Sequence, residues 1–162
     1  MLIKLIKTND DAALTILRLV LGIVFFAHGA QKVFGWFGGP GFSGTMGFFT
    51  ANMGIPAFFA VLAIAAEFLG GIGLILGLLA RVAAFGVAVN MVVAILLVHA
   101  PHGFFMNWSG KQKGEGIEYH LLAIAVTAAI MLKGAGAASI DRALYRSRAG
   151  ADRDLQQREP LR

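Results

Sequence analysis

Four long apolar stretches run through this 162-residue chain and leave it few folds to adopt. A bilayer core is crossed by roughly 20 apolar residues in helical form. The stretches cover about Ala12 to Val33, Ile55 to Ala80, Val82 to His99 and Ile117 to Leu132. The fold class they predict is an all-α membrane protein, a bundle of four transmembrane helices. Composition agrees: 57% of the residues are hydrophobic and only 14% charged, against about 25% charged in an average soluble domain. So little polar surface cannot cover so much apolar side chain in water. The chain has no cysteine, which excludes a disulfide scaffold, a zinc–thiolate site, a thiol redox motif and an iron–sulfur cluster on its own ligands.

A cleaved signal peptide is the rival reading of the first stretch. Arg18 inside the apolar region, and Asp10 and Asp11 directly before it, argue against that reading. Lysine and arginine placement gives an orientation. With four spans, the N-terminus, the turn between spans two and three and the C-terminus share one side. That side holds Lys4, Lys7, Arg81, Lys133, Arg142, Arg146 and Arg148, and further arginines beyond them. The other side holds only Lys32, Lys111 and Lys113. Both termini are expected in the cytoplasm. The pI near 10 is then a topology signal. Nucleic acid is not an expected partner, because Asp152, Asp154 and Glu159 dilute the arginines of the tail.

This divides the chain into an N-terminal segment (1–11), a membrane domain (12–144) and a basic tail (145–162) expected to be disordered, especially beyond Gly150. In the first outer loop, Phe42, Met46, Phe49 and Met53 recur at one-face helical spacing. They predict a short helix lying in the outer interface, with Trp36 and Phe37 as anchors. Arg81 is expected alone in the tight inner turn. Ser139 is placed to cap a short helix beginning at Ile140.

Ionisable residues at membrane depth are costly and therefore functional candidates. Counting 1.5 Å per residue inward from the outer boundary, Glu67 lies roughly 16–18 Å deep, Asn90 roughly 14 Å, His28 roughly 8 Å and Arg18 roughly 22 Å. His120 and Gln31 lie nearer the surface, and His99 and His102 sit at the rim. These depths predict a polar column open to the outer side, lined by His28, Gln31, His99, His102 and His120. Glu67 and Asn90 form its floor, and Arg18 closes it from below within reach of Glu67. Gly22 and Gly29 share the Arg18 face and mark a close helix contact, which turns Arg18 toward the bundle rather than toward the cytoplasmic interface. Asn90 also suits a simple interhelical hydrogen bond. Gly70, Gly71 and Gly73 lie inside a span and read as a packing surface, not a nucleotide loop. Without an H-x-x-x-H pair, no metal site is expected.

The segments ILRLVLGIVFFAHGAQKVFGWFGG, GTMGFFTANMGIP, AEFLGGIGLILGLLAR, HAPHGFF, GEGIEYHLL and SIDRAL together resemble the DoxX family of small bacterial membrane proteins, over about Leu14 to Leu144. The resemblance implies a four-helix protein of the cytoplasmic membrane with both termini inside. It also implies a redox connection, since founding members are linked to a quinone-reducing thiosulfate oxidoreductase and others to oxidative-stress and thiol-redox partners. Arg18, His28, Lys32, Glu67, Gly70, Gly71 and Glu118 fall on the family's characteristic positions. His120 departs from the pattern, because relatives often carry proline or a small residue there.

Three functions follow as expectations. The first is a redox-linked subunit that binds a quinone or similar amphiphile. His28, Asn90 and His120 would donate hydrogen bonds and Glu67 would relay protons. Gln31, Lys32, His99 and Glu118 are secondary candidates. Electrons would come from a redox protein partner. The second is a membrane scaffold in which Arg18 and Glu67 form a fold-specifying ion pair. The third, ranked last, is a solute or proton conductor, for which a homodimer could enclose the path.

Overall fold

The computed structural model describes residues 2–158, with side chains from residue 3 to residue 149. Among the described residues the chain is all helical: α1 (Leu2–Ile6), α2 (Ala12–Phe34), α3 (Gly41–Gly47), α4 (Ala57–Leu76), α5 (Ala80–Ala94), α6 (Glu118–Lys133) and α7 (Ile140–Arg158). A π turn, Phe48–Asn52, prolongs α3, and α5 runs on through irregular turns to His102. Helices α2, α4, α5 and α6 close a ring, each packed on the next. Ala12–Phe34, Ala57–Leu76 and Ala80–His102 are long and apolar enough to cross a membrane. Helix α6, at 16 residues, is shorter, about 24 Å. The outward faces are apolar: Ile16, Phe58, Phe85, Leu96 and Leu122 are exposed.

Helix α2 begins where Asp11 accepts hydrogen bonds from the Ala13 and Leu14 amides, at 2.8 and 3.2 Å. It ends at Gly35, a left-handed residue. Along its length it lies against α4 closer than any side chain would permit. A Cβ on Gly29 would stand 2.5 Å from the Phe68 Cα or beside its amide. One on Gly22 would meet the Ile75 amide at 2.8 Å, and one on Gly71 the Phe26 amide at 2.5 Å. The three contacts share one antiparallel register, which sets Glu67 opposite Ala30 and Arg18 opposite Leu79.

That register overturns the expected Arg18–Glu67 pair. Arg18 lies twelve residues, about 18 Å, from the level of Glu67. The expectation took the loop ends of α2 and α4 to be level. In fact α2 stops six residues short of the start of α4, about 9 Å. Arg18 does face the bundle, 1% exposed, but its partners are backbone carbonyls. Nε donates to Ala135 at 2.8 Å, and Nη2 to Ala138 at 2.6 Å. Nη1 donates to Leu74 and to Ile75, the latter at 2.7 Å. The last carbonyls of α4 lack intrahelical partners and carry the negative end of its dipole. Arg18 therefore ties α2 to the end of α4 and to the α6–α7 linker.

The turn between α4 and α5 consists of Gly77, Leu78 and Leu79. Gly77 and Leu79 both adopt positive φ, 64° and 47°. Arg81, expected to make this turn alone, sits in the first turn of α5 and donates to the Lys7 and Met131 carbonyls. The first amides of α5, which lack partners within the helix, are capped from another helix: Asp141 Oδ1 accepts from Leu79 at 2.8 Å and Oδ2 from Ala80 at 2.9 Å. Ser139 caps α7 as expected, accepting from the Arg142 amide at 3.2 Å. Beyond Gly150, where the tail was expected to be disordered, α7 continues to Arg158. Alanine, leucine, glutamine and arginine are good helix formers there. The last part of the expected tail, residues 159–162, lies outside the described residues.

Burial pushes the Asp141 carboxyl above its ordinary range, against the opposing pull of the Ala80 and Leu79 amides and of Arg18 and Arg81. The folded state then holds this proton more readily than the unfolded chain. The stability contributed here falls as pH rises from the ordinary carboxylate range through the raised value, and is flat above it. Thermal melts of purified protein across pH should show this slope in the wild type and lose it in Asp141→Asn. Asp141→Ala, which removes both capping bonds, should cost about 2 kcal/mol at neutral pH.

Candidate functional site

At the end of the bundle opposite α7, the ring of helices encloses a cavity of about 400 Å³. Its polar floor begins with the register described above. Lys32, one half-turn beyond Ala30, places Nζ 2.5 Å from Glu67 Oε2. Asn90, on α5, donates through Nδ2 to Glu67 Oε1 at 3.0 Å and to the Ala63 carbonyl at 3.2 Å. Glu67 is 7% exposed, and a carboxylate so placed needs these partners. Lysine, glutamate and asparagine thus come from three helices and share one hydrogen-bonded cluster.

The wall is aromatic and imidazole-rich. His28 from α2 packs 6.5 Å, ring centroid to centroid, from Tyr119 at the start of α6. Next to it, the His120 ring lies 4.0 Å from that of His99, whose Nδ1 sits 2.8 Å from the Glu115 carbonyl. Phe48, Phe49 and Met53 from the first loop, and Met106 from the second, complete the lining. Two polar atoms on this wall stand out. Tyr119 Oη and His120 Nδ1 are buried without a hydrogen-bond partner, an arrangement that folded proteins avoid unless something else satisfies the group.

Most of the sequence candidates therefore meet. His28, Lys32, Glu67, Asn90, His99 and His120 line one cavity. Arg18 does not, for the reason given above. Gln31 is turned toward the first loop, where its amide donates to the Phe37 carbonyl at 3.4 Å. Glu118 serves the second loop, accepting from the Met106 amide at 2.8 Å and from the Trp108 indole at 3.1 Å. His102 packs over Gly114 instead of lining the cavity. Tyr119 was missed as a candidate. Its signal was a phenol beside an intramembrane histidine, 100° round the same helix, so that both can flank one corner. The stripe of the first loop is divided: Phe49 and Met53 face the cavity while Phe42 is exposed. Among the described residues, no three His, Cys, Asp or Glu side chains are grouped so as to hold a metal ion.

A ring of apolar-faced helices around a charged, hydrogen-bonded cavity defines a polytopic helical membrane protein with an internal polar site. The chain belongs to the DoxX family, whose model matches residues 13–100. It is 30% identical over 138 residues to "Inner membrane protein YqjF" of Escherichia coli (strain K12), covering 85% of this chain and 96% of that protein. It is 34% identical over 92 residues to "Putative oxidoreductase CatD" of Bacillus subtilis (strain 168), covering 57% of this chain and 63% of CatD. No solved structure matches.

Breaking the Lys32–Glu67 pair from one side leaves an uncompensated charge at depth. Lys32→Met and Glu67→Gln should each lower thermal stability in detergent, Lys32→Met by about 3 kcal/mol. The double variant should recover most of that loss. Additive losses would show that the two residues do not act as a pair.

Proposed function

We propose that this protein is a redox-linked membrane subunit that binds a quinone or similar small amphiphile in the cavity. The supporting observation is the pair of buried, unpartnered polar atoms, Tyr119 Oη and His120 Nδ1, on the wall of an otherwise mostly apolar enclosure. Ligand sites commonly combine an apolar lining with a few convergent polar groups, and a quinone ring offers two carbonyl acceptors to such groups. A bound quinone supplies a two-electron, two-proton acceptor. The residues of this chain hold the ring, keep the Lys32–Glu67–Asn90 floor charge-balanced and offer protons from imidazole and phenol. Electrons would come from a protein partner. The similarity to CatD, named as an oxidoreductase, supports the same direction.

The reading carries a topology. Helix α6 makes the fourth crossing, with Lys133 reaching toward the interface and the bilayer thinning slightly around a short helix. Both termini lie in the cytoplasm, as the lysine and arginine bias requires. The cavity then opens toward the outer side, and α3 with its π turn lies in the outer interface. The second reading, a scaffold or assembly partner for a redox or stress-response complex, is favoured by Arg18, whose hydrogen bonds all go to backbone carbonyls. It expects Arg18→Ala to lower abundance and the wild-type protein to bind no quinone.

Titration of purified protein with a decyl-tailed benzoquinone tests the main reading. Tyr119→Phe and His120→Ala should each weaken binding about three- to tenfold, the value of one hydrogen bond, without lowering the melting temperature. Wild-type protein that binds no quinone would remove the reading.

A further inference from the structure

We infer that the exposed groove between α4 and α5 holds the hydrophobic tail of the quinone whose ring occupies the cavity, so that the ligand enters sideways from the bilayer. This rests on the reading above and extends it. The groove has a volume of about 1000 Å³, and it shares six lining residues with the cavity: Met53, Ile55, Ala63, Asn90, Val93 and Leu97. The two spaces therefore adjoin, and Asn90 stands at the junction with its amide already turned to Glu67.

The shape follows from residue size. Ala66, Gly70, Gly73 and Gly86 line the groove where the two helices approach, and a Cβ on Gly86 would only just touch Ala66, at 3.4 Å. Leu62 and Leu69 on α4, and Phe85 and Val89 on α5, stand exposed along the edges. Small residues between large ones leave a furrow. On α4 its lining reaches from Phe59 to Leu76, about 26 Å of helix, most of the depth of a bilayer core. Asn90 is the one polar side chain in the lining, and it lies where the groove meets the cavity. A polar cavity joined at its floor to a long apolar furrow suits a ligand with a polar ring and one long chain.

The experiment compares two probes that share a ring, a tailless benzoquinone and its decyl-tailed counterpart. It uses the full chain in detergent. Val89→Trp and Leu62→Trp each fill the groove from an exposed edge, and Leu122→Trp, on the outer face of α6, is the control. Both groove variants should weaken the decyl-tailed probe at least about fivefold while leaving the tailless probe and the melting temperature unchanged. The control should alter neither affinity. An unchanged ratio between the two probes would overturn the inference. It would do so whether the groove variants bind as wild type, lose both probes equally or change the oligomeric state, the last marking the groove as a face between two copies. Binding of both probes by wild type with that ratio unchanged leaves the proposed function standing. Binding of neither probe by wild type removes the function itself.

Discussion

The close approach of α2 to α4 is the constraint on which the other polar contacts depend. Lipid tails are as apolar as leucine, so helices in a bilayer are not driven together by burial. They associate through packing, which small residues allow. Gly22, Gly29 and Gly71 remove the side chains that would hold the two backbones apart. The register they impose has two consequences about 18 Å apart. Toward one end, Lys32 falls within reach of Glu67. Toward the other, Arg18 falls against the end carbonyls of α4.

These two charged sites use their hydrogen bonds differently. The hydrogen-bond partners of the Arg18 guanidinium are backbone carbonyls, and they come from two segments of the chain. The charge is consumed in holding α4 and the α6–α7 linker together. Asp141 completes this end by capping α5 from α7. At the cavity, the floor is bonded but the wall is not, since Tyr119 Oη and His120 Nδ1 have no protein partner. Only the second site has hydrogen-bonding capacity left for something other than the chain itself.

The apolar stretches made the main helices legible in the sequence, because helix length and hydropathy are local properties. The meeting of His28, Glu67, Asn90 and His120 was legible too, since depth along a span is counted from residue number. Arg18 was misplaced because that count assumes level helix ends, whereas the register is a property of paired surfaces. Lys32 was ranked low for the same reason: near the end of its own helix, it is well below the start of α4. Gln31 and Glu118 lie at the right depth but face the loops. The turn residues went unread because a positive φ at Leu79 has no signature in the sequence; it is held by Asp141, 62 positions away.

The shape of the interior bears on what the cavity can do. Between its floor and Arg18, the bundle is filled by Leu21, Leu74, Ala84 and Ile130, with Phe25 and Val87 beside them, in one apolar cluster. Phe25, Leu74, Val87 and Ile130 are each no more than 1% exposed. An ion or polar solute passing through a single bundle would have to cross this layer, where the buried Thr127 hydroxyl already donates to the Ile124 carbonyl at 2.8 Å, at a cost of several kcal/mol. The polar space is thus closed from the Arg18 end, and its continuity is sideways, into the α4–α5 groove. A blind cavity with a balanced ion pair at its floor and a lateral apolar exit suits a neutral lipid-soluble ligand better than a transported ion.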